Sequence, residues 1–219
     1  MQRGTLITTT GIDGAGKSTL AKNVRDELQA RGYDAVYAYG RFLPLLSYPV
    51  MELGRRTVLS SSDIEEDYTQ HQSNKKSLFE MSLLRRGYEM LVMADYAPQL
   101  FARVILPLYQ HDYVVCDRYF YDTLLTDLSG DVITDPQEAI DRYRLYSKVI
   151  PKPDFEFYVQ IPPEVSMERK DDVPDIGYVK DRKAFYDAFA KAYGMSIVDG
   201  TQSQSDVCAA VLESVLGQN

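Results

Sequence analysis

A run of nine residues carries the clearest chemistry in this chain of 219: Gly11-Ile12-Asp13-Gly14-Ala15-Gly16-Lys17-Ser18-Thr19. A glycine, four residues and then Gly-Lys-Ser/Thr is the spacing of a phosphate-binding loop. Glycines at 11, 14 and 16 let the backbone turn its N–H groups inward around phosphate oxygens, and a following helix N-terminus adds partial positive charge. In that setting Lys17 lies along the β- and γ-phosphates of ATP and Ser18 holds Mg²⁺. Gly11, Gly14, Ala15, Gly16 and Thr19 complete the cradle. A glycine-rich turn without a ligand explains neither Lys17 nor Ser18. The loop also has the flanks it needs. Thr5 to Thr10 are β-branched or apolar and read as a strand, while Leu20, Ala21, Val24 and Leu28 recur at helical spacing.

Two further sites reach the same place if the sheet is parallel, because all strand C-termini then open on one edge. The apolar run Tyr113 to Asp117 delivers an acid with Arg118 directly behind it, and Ala35 to Tyr39 leads to Arg41. An acid there can orient Mg²⁺ or its waters, and an arginine can hold the phosphate of an acceptor by forked hydrogen bonds. Two plainer readings stay open: a strand-end salt bridge for Asp117-Arg118 and a solvated loop cation for Arg41. Tyr119, Phe120 and Tyr121 are equally suited to stacking on a base or filling a core. His71 and His111 have no partner spacing for metal or catalysis, and Arg55-Arg56 and Arg85-Arg86 read as solvated helix faces.

The elements that must position these groups alternate in type. A helix from Lys17 to Arg31 stops at Gly32, and a loop with Pro44 covers Phe42 to Tyr48. A polar surface excursion follows near 60–76. Leu78 to Tyr109 reads as a largely buried helical stretch, bent or broken near Pro98. Asp135-Pro136 starts a helix with Ile140, Tyr143 and Tyr146 inside; Phe155 to Val159 is a strand, and Pro163 to Arg169 a short helix. The charged segment after it forms a lid near 169–181. Phe185, Ala188, Phe189 and Ala192 mark a helix ending at Gly194, Ser196 to Asp199 a last strand, and Val207, Val211 and Val215 a closing helix. The order predicts a single domain over 1–219, an α/β doubly wound, mostly parallel sheet of about five strands flanked by helices, with a small lid.

Composition narrows the function. Thirty-two acidic residues against 24 lysines and arginines give a net charge of −8 and a pI of about 4.8, so a nucleic-acid polymer is excluded as partner. Cys116 and Cys208 offer no disulfide framework, which fits a cytoplasmic location. The start lacks a signal-type apolar region, and no apolar run is expected to approach the ~20 residues of a membrane span.

These residues together carry a resemblance. The Gly-Ile-Asp-Gly-Ala-Gly-Lys-Ser-Thr loop, Met93-Ala94-Asp95 in the long helix, Asp117-Arg118-Tyr119 after an apolar strand and Ile197-Val198-Asp199-Gly200 near the end resemble the thymidylate kinase family in order and spacing. The resemblance implies a P-loop kinase fold, transfer of the ATP γ-phosphate to a nucleoside monophosphate (thymidylate by default), dependence on Mg²⁺, a lid and a homodimer packed through helices. It implies that Lys17 and Ser18 serve ATP and Mg²⁺, that Asp13 faces the acceptor, and that Arg41 and Arg118 bind the acceptor phosphate. It also implies a metal-side role for Asp117 and makes Arg169 a lid arginine.

The chain departs from the family pattern on the acceptor side. Arg41 is followed by Phe42-Leu43-Pro44-Leu45 rather than Glu-Pro-Gly-Gly, and Tyr121 to Leu125 replace the Ser/Ala-Tyr-Gln stretch. Val92 and Tyr96 stand where the family has a base-stacking aromatic and an acceptor-phosphate arginine. Two alternatives follow: a kinase for a different small acceptor, or a non-catalytic nucleotide-binding regulator.

Overall fold

The computed structural model describes residues 3–45, 47, 73–128, 135–170 and 175–217. Outside them lie Arg55-Arg56, His71, the excursion from 60 to 72 and 171–174 of the expected lid. The described chain divides into two compact units, Met1–Arg41 with Leu100–Asn219, and Phe42–Gln99.

The larger unit holds one sheet of five parallel strands, β1 Thr5–Thr10, β2 Ala35–Tyr39, β3 Tyr113–Asp117, β4 Phe155–Gln160 and β5 Ser196–Asp199, in the order β2-β3-β1-β4-β5. Strand β1 lies between β3 and β4, so the chain crosses to either side of the loop that leaves β1. Such a switch point opens a crevice at the strand C-termini. All five residues of β3 are buried, as expected for a central parallel strand covered on both faces.

Helix α1, Lys17–Ala30, buries Leu20, Ala21, Val24 and Leu28, the periodic residues of its sequence. Helix α2, Ser73–Leu100, begins five residues earlier than Leu78, taking Ser73 to Lys76 out of the polar excursion. It runs through Pro98 without breaking, and the irregularity expected there comes later, as a π-helical turn over Phe101–Ile105. A three-residue helix α3, Phe120–Asp122, passes into a second π-helical turn, Thr123–Asp127. Helix α4 is Pro136–Tyr146, capped by Asp135 on the N–H of Gln137. The others are α5 Pro163–Arg169, α6 Ile176–Tyr193 and α7 Gln204–Leu216. Residues 176–181, expected in the lid, form the first turns of α6. That helix buries Val179, Tyr186, Phe189 and Ala190, a single face at helical spacing; Phe185 and Ala188 are half-buried and Ala192 is exposed.

Within the smaller unit the loop after Phe42 is pinned to α2. The Asp95 carboxylate is buried and accepts from Leu45 N (2.9 Å), Ser47 N (2.9 Å) and Ser47 Oγ (2.8 Å). Gln99 brackets Leu43, accepting from its N–H and donating to its carbonyl at 2.8 Å. Val92 and Tyr96 are both buried, and Tyr96 meets Phe42 edge-on at 6.1 Å. The stretch Arg86–Leu108, 23 residues with a mean hydropathy of 1.2, is long and apolar enough to cross a membrane. That overturns the expectation that no apolar run comes close. Within it Val92, Tyr96 and Leu108 are buried, while Met90, Phe101 and Leu106 are exposed.

Candidate active site

The loop of the motif leaves β1 with its backbone in conformations that only glycine takes easily. Gly11 has φ 145° and Gly16, at the N-cap of α1, has φ 88°. A side chain at Gly11 would also meet the Val159 carbonyl at 2.4 Å. The resulting turn buries Lys17, whose Nζ donates to the Ile12 carbonyl at 2.6 Å and lies 4.0 Å from Asp13. Burial, reinforced by the neighbouring Arg118 charge, pushes the Lys17 ammonium down to about 8. Ser18 is exposed at the start of α1.

The Asp117-Arg118 turn lies beside this loop because Thr9 and Asp117 are paired across β1 and β3. Arg118 is the one non-glycine with positive φ among the described residues, at 64°. A left-handed conformation costs roughly 1 kcal/mol or more. It is held by an Arg118 N–H bond to the Thr9 carbonyl (2.9 Å) and by the Cys116 thiol donating to the Arg118 carbonyl (2.9 Å). The kink returns the side chain toward the loop, where Nη2 meets Asp13 Oδ1 at 2.6 Å. Its other wing is 3.7 Å from Asp122. Burial works to raise Asp13, but Lys17 and Arg118 outweigh it and hold the carboxyl below its usual range.

Asp117 is buried and accepts from the Tyr37 hydroxyl at 3.0 Å through Oδ2, while its Oδ1 is buried without a hydrogen-bond partner. A buried carboxylate oxygen left in that state fits an outer partner such as a metal-bound water. Among the described residues no three carboxylate, histidine or cysteine side chains gather into a cage. Mg²⁺ bound by one or two protein oxygens and by phosphates needs none.

Two cavities flank the loop. One, of about 30 Å³, is bordered by Asp13, Arg41, Arg118, Tyr178, Arg182 and Tyr186; it has room for a couple of waters and not for a nucleotide. The other, of about 340 Å³, lies against Gly14, Gly16, Leu20, Arg169, Gly200 and Gln202. The structure therefore brings Asp13, Lys17, Arg41 and Arg118 together. It places Arg169 on the opposite side of the loop, donating to the carbonyls of Gly14 (3.3 Å) and Gly200 (3.0 Å). Tyr96 belongs to the smaller unit.

Three participants are absent from the reading of the sequence. Asp122, fully buried, accepts from Thr10 Oγ1 (2.8 Å), the Tyr186 hydroxyl (2.8 Å) and Tyr119 N (2.9 Å) as well as approaching Arg118. Burial raises its pKa against the pull of Arg118 and those hydrogen bonds. A lone acid inside the apolar run Tyr119 to Leu125 was the signal, since a buried charge needs partners. Arg182 and Tyr178 come from α6, and only the choice of helix face would have revealed them. Tyr119, Phe120 and Tyr121 are all buried, with Tyr121 donating to Thr8 Oγ1 at 2.7 Å; they fill the core. His111 pairs with Asp34 at 2.9 Å.

No protein-family model matches the chain. Among curated proteins it is similar to the probable thymidylate kinase 2 of Saccharolobus solfataricus, with 30% identity over 76% of this chain and 64% of that protein. The match thus spans less than two thirds of that relative. The thymidylate kinase of a Bradyrhizobium species is 28% identical over 97% of this chain and 90% of its own length, and that of Finegoldia magna 24% identical over 97% and 98%. The loop, the sheet order and the strand-end Asp-Arg turn are thus accompanied by similarity to thymidylate kinases over most of the chain.

Proposed function

We propose that the chain transfers the γ-phosphate of ATP to a nucleoside monophosphate, with thymidylate as the default acceptor and Mg²⁺ as the metal. The observation that carries this reading is the convergence of the loop lysine with Arg118, Arg41 and Asp13 at one sheet edge. Loop N–H groups and Lys17 hold the donor phosphates, with Gly11, Gly14, Ala15, Gly16 and Thr19 forming the cradle. The 340 Å³ cavity beside Gly200 and Gln202 receives the rest of ATP. Arg118 and Arg41 hold the acceptor phosphate near Asp13. Ser18 and the unpartnered Oδ1 of Asp117 would hold Mg²⁺, which would supply charge neutralisation to the transferring phosphate. Catalysis on this reading is positioning and charge stabilisation, without a covalent enzyme intermediate. Arg169, tied to Gly14 and Gly200, joins the donor side.

The whole chain acts as one kinase domain in the cytoplasm, on small substrates and without nucleic acid or membrane as partner. Exposed Met90, Ala94 and Ala97 lie at helical spacing on α2 and support a homodimer packed through that helix. A second reading, a different small acceptor, is supported by Val92 and Tyr96, both buried, standing in place of the family's base-stacking aromatic and acceptor-phosphate arginine. A screen of ATP and Mg²⁺ with monophosphates and free nucleosides, reading ADP release, decides between them. Turnover of thymidylate above the others supports the default; turnover of another acceptor alone selects the second reading, and turnover of none defeats the default and favours a non-nucleotide acceptor or a non-catalytic nucleotide-binding regulator.

A further inference from the structure

Arg182 was not among the groups from which that function was read, yet it borders the same cavity as Arg41, Arg118 and Asp13. Two contacts fix it there. Its Nη1 donates to the carbonyl of Leu125, which belongs to the π-helical turn Thr123–Asp127. Wider hydrogen bonding in such a turn, here Leu128 N to the Thr123 carbonyl at 3.0 Å, displaces carbonyls from the usual helical ladder, and π-turns concentrate at functional sites. The second contact is the Tyr178 ring, 5.1 Å from the guanidinium carbon, close enough to orient the plane of the charge.

Tyr178, Arg182 and Tyr186 follow at intervals of four on α6, so they share a helix face. All three border the cavity, and Tyr186 is locked through its hydroxyl to Asp122. Three guanidinium groups therefore reach one small cavity from three elements: the end of β2, the end of β3 and the wall formed by α6. Planar forks suit the oxygens of a phosphate monoester, which carries about −1.5 to −2 charges near neutral pH. An uncharged nucleoside or alcohol offers them nothing comparable. The π-turn that delivers Leu125 is built from Thr123 to Asp127, part of the stretch in which the chain departs from the family pattern.

We propose that Arg182 is a direct ligand of the acceptor's phosphate, beside Arg41 and Arg118. The proposal rests on the kinase reading for its placement of the acceptor, and the test separates the two. Binding of thymidine monophosphate, thymidine and inorganic phosphate to the full chain without ATP is measured by calorimetry for wild type, Arg182→Met and Arg182→Lys. Turnover with ATP and Mg²⁺ is measured in parallel. Wild type is expected to bind the monophosphate at least ~10-fold more tightly than thymidine, and Arg182→Met to lose ~10- to 100-fold on the monophosphate while thymidine affinity holds. Arg182→Lys falls between the two because it keeps charge and loses the fork. Equal losses on monophosphate and nucleoside mean a merely structural arginine and overturn the proposal, as does unchanged binding in Arg182→Met or the absence of phosphate discrimination in wild type. Selective loss in a chain that phosphorylates no monophosphate upholds the anion site and defeats the kinase reading.

Discussion

Removing the Asp122 carboxylate tests whether the core and the site are one network. Asp122→Ala strands three donors that have no route to water: the hydroxyls of Thr10 and Tyr186, both at most 2% exposed, and the Tyr119 N–H. At ~1 to 2 kcal/mol for each buried donor left unpaired, the loss is roughly 3 to 6 kcal/mol. Part of it returns, because burying the carboxylate is itself unfavourable, as its raised pKa shows. A net cost of about 2 to 4 kcal/mol remains, which for a chain of this size lowers Tm by roughly 5 to 15 °C. Asp122→Asn is milder: Oδ1 still accepts from both hydroxyls, but an amide then faces the Tyr119 N–H and the charge beside Arg118 is gone. Both variants should lose acceptor efficiency, since Arg118 keeps only Asp13 to hold its fork. Urea unfolding and thermal melts of wild type and both variants supply the comparison. If Asp122→Ala melts within 2 °C of wild type, a difference of ~1 kcal/mol or less, the network does not carry the stability assigned to it.

Three other substitutions address separate steps. Lys17→Ala should reduce turnover by ~10²-fold or more with little change in melting, because Lys17 is a loop cation whose burial disfavours its own charge; turnover within a few fold of wild type would remove the loop from the reaction. Arg118→Lys keeps the charge and loses the fork, so acceptor KM should rise and turnover fall while ATP affinity stays within ~2-fold; collapse of ATP affinity alone would reverse its assignment. Glu156 gives a pH test away from the site. Burial pushes it to about 7 from an ordinary 4.5, partly opposed by Lys152, and its Oε1 has no hydrogen-bond partner. Its folded-state pKa lies above the unfolded one, so the folded state binds the extra proton, and this contribution, full below about 4.5, is lost as pH rises through about 7. Glu156→Gln should match wild type in urea at about pH 4 and exceed it by about 1 to 3 kcal/mol at about pH 8, and equal stability at the higher pH would contradict it.

The loop was legible because its information is contiguous. Glycines at 11 and 16 are demanded by backbone angles and Lys17 by the spacing behind them, so residue type alone carries the geometry. The sheet was legible for a similar reason: strands buried on both faces leave apolar runs, and β3 is the plainest. Side chains that converge from distant elements leave no such trace. Nothing in the identity of Arg118 announces a left-handed turn. Tyr121 to Leu125 looked like a missing motif, yet in the structure the same stretch supplies the Asp122 hub and begins the π-turn that seats Arg182. The helical stripe of α6 was read one position off, through Phe185 and Ala188, and that shift hid the face bearing Tyr178, Arg182 and Tyr186.

The cations of the site are held by the protein's own oxygens. Lys17 rests on the Ile12 carbonyl, Arg118 on Asp13, Arg169 on the carbonyls of Gly14 and Gly200, and Arg182 on that of Leu125. On the proposed function, phosphate binding is therefore an exchange of acceptors rather than the capture of an anion by waiting charges. The net gain at each cation is the difference between a phosphate oxygen and the internal acceptor it replaces. Backbone carbonyls are the weaker competitors, being neutral, and hydrogen bonds to charged groups are about twice as strong as neutral ones. Asp13 is a charged competitor that grips the arginine assigned to the acceptor at 2.6 Å, with Asp122 3.7 Å away. Donor phosphates thus displace carbonyls from Lys17, whereas an acceptor must displace a carboxylate from Arg118. On the proposed function, a dianionic phosphate monoester can do that and a neutral hydroxyl cannot.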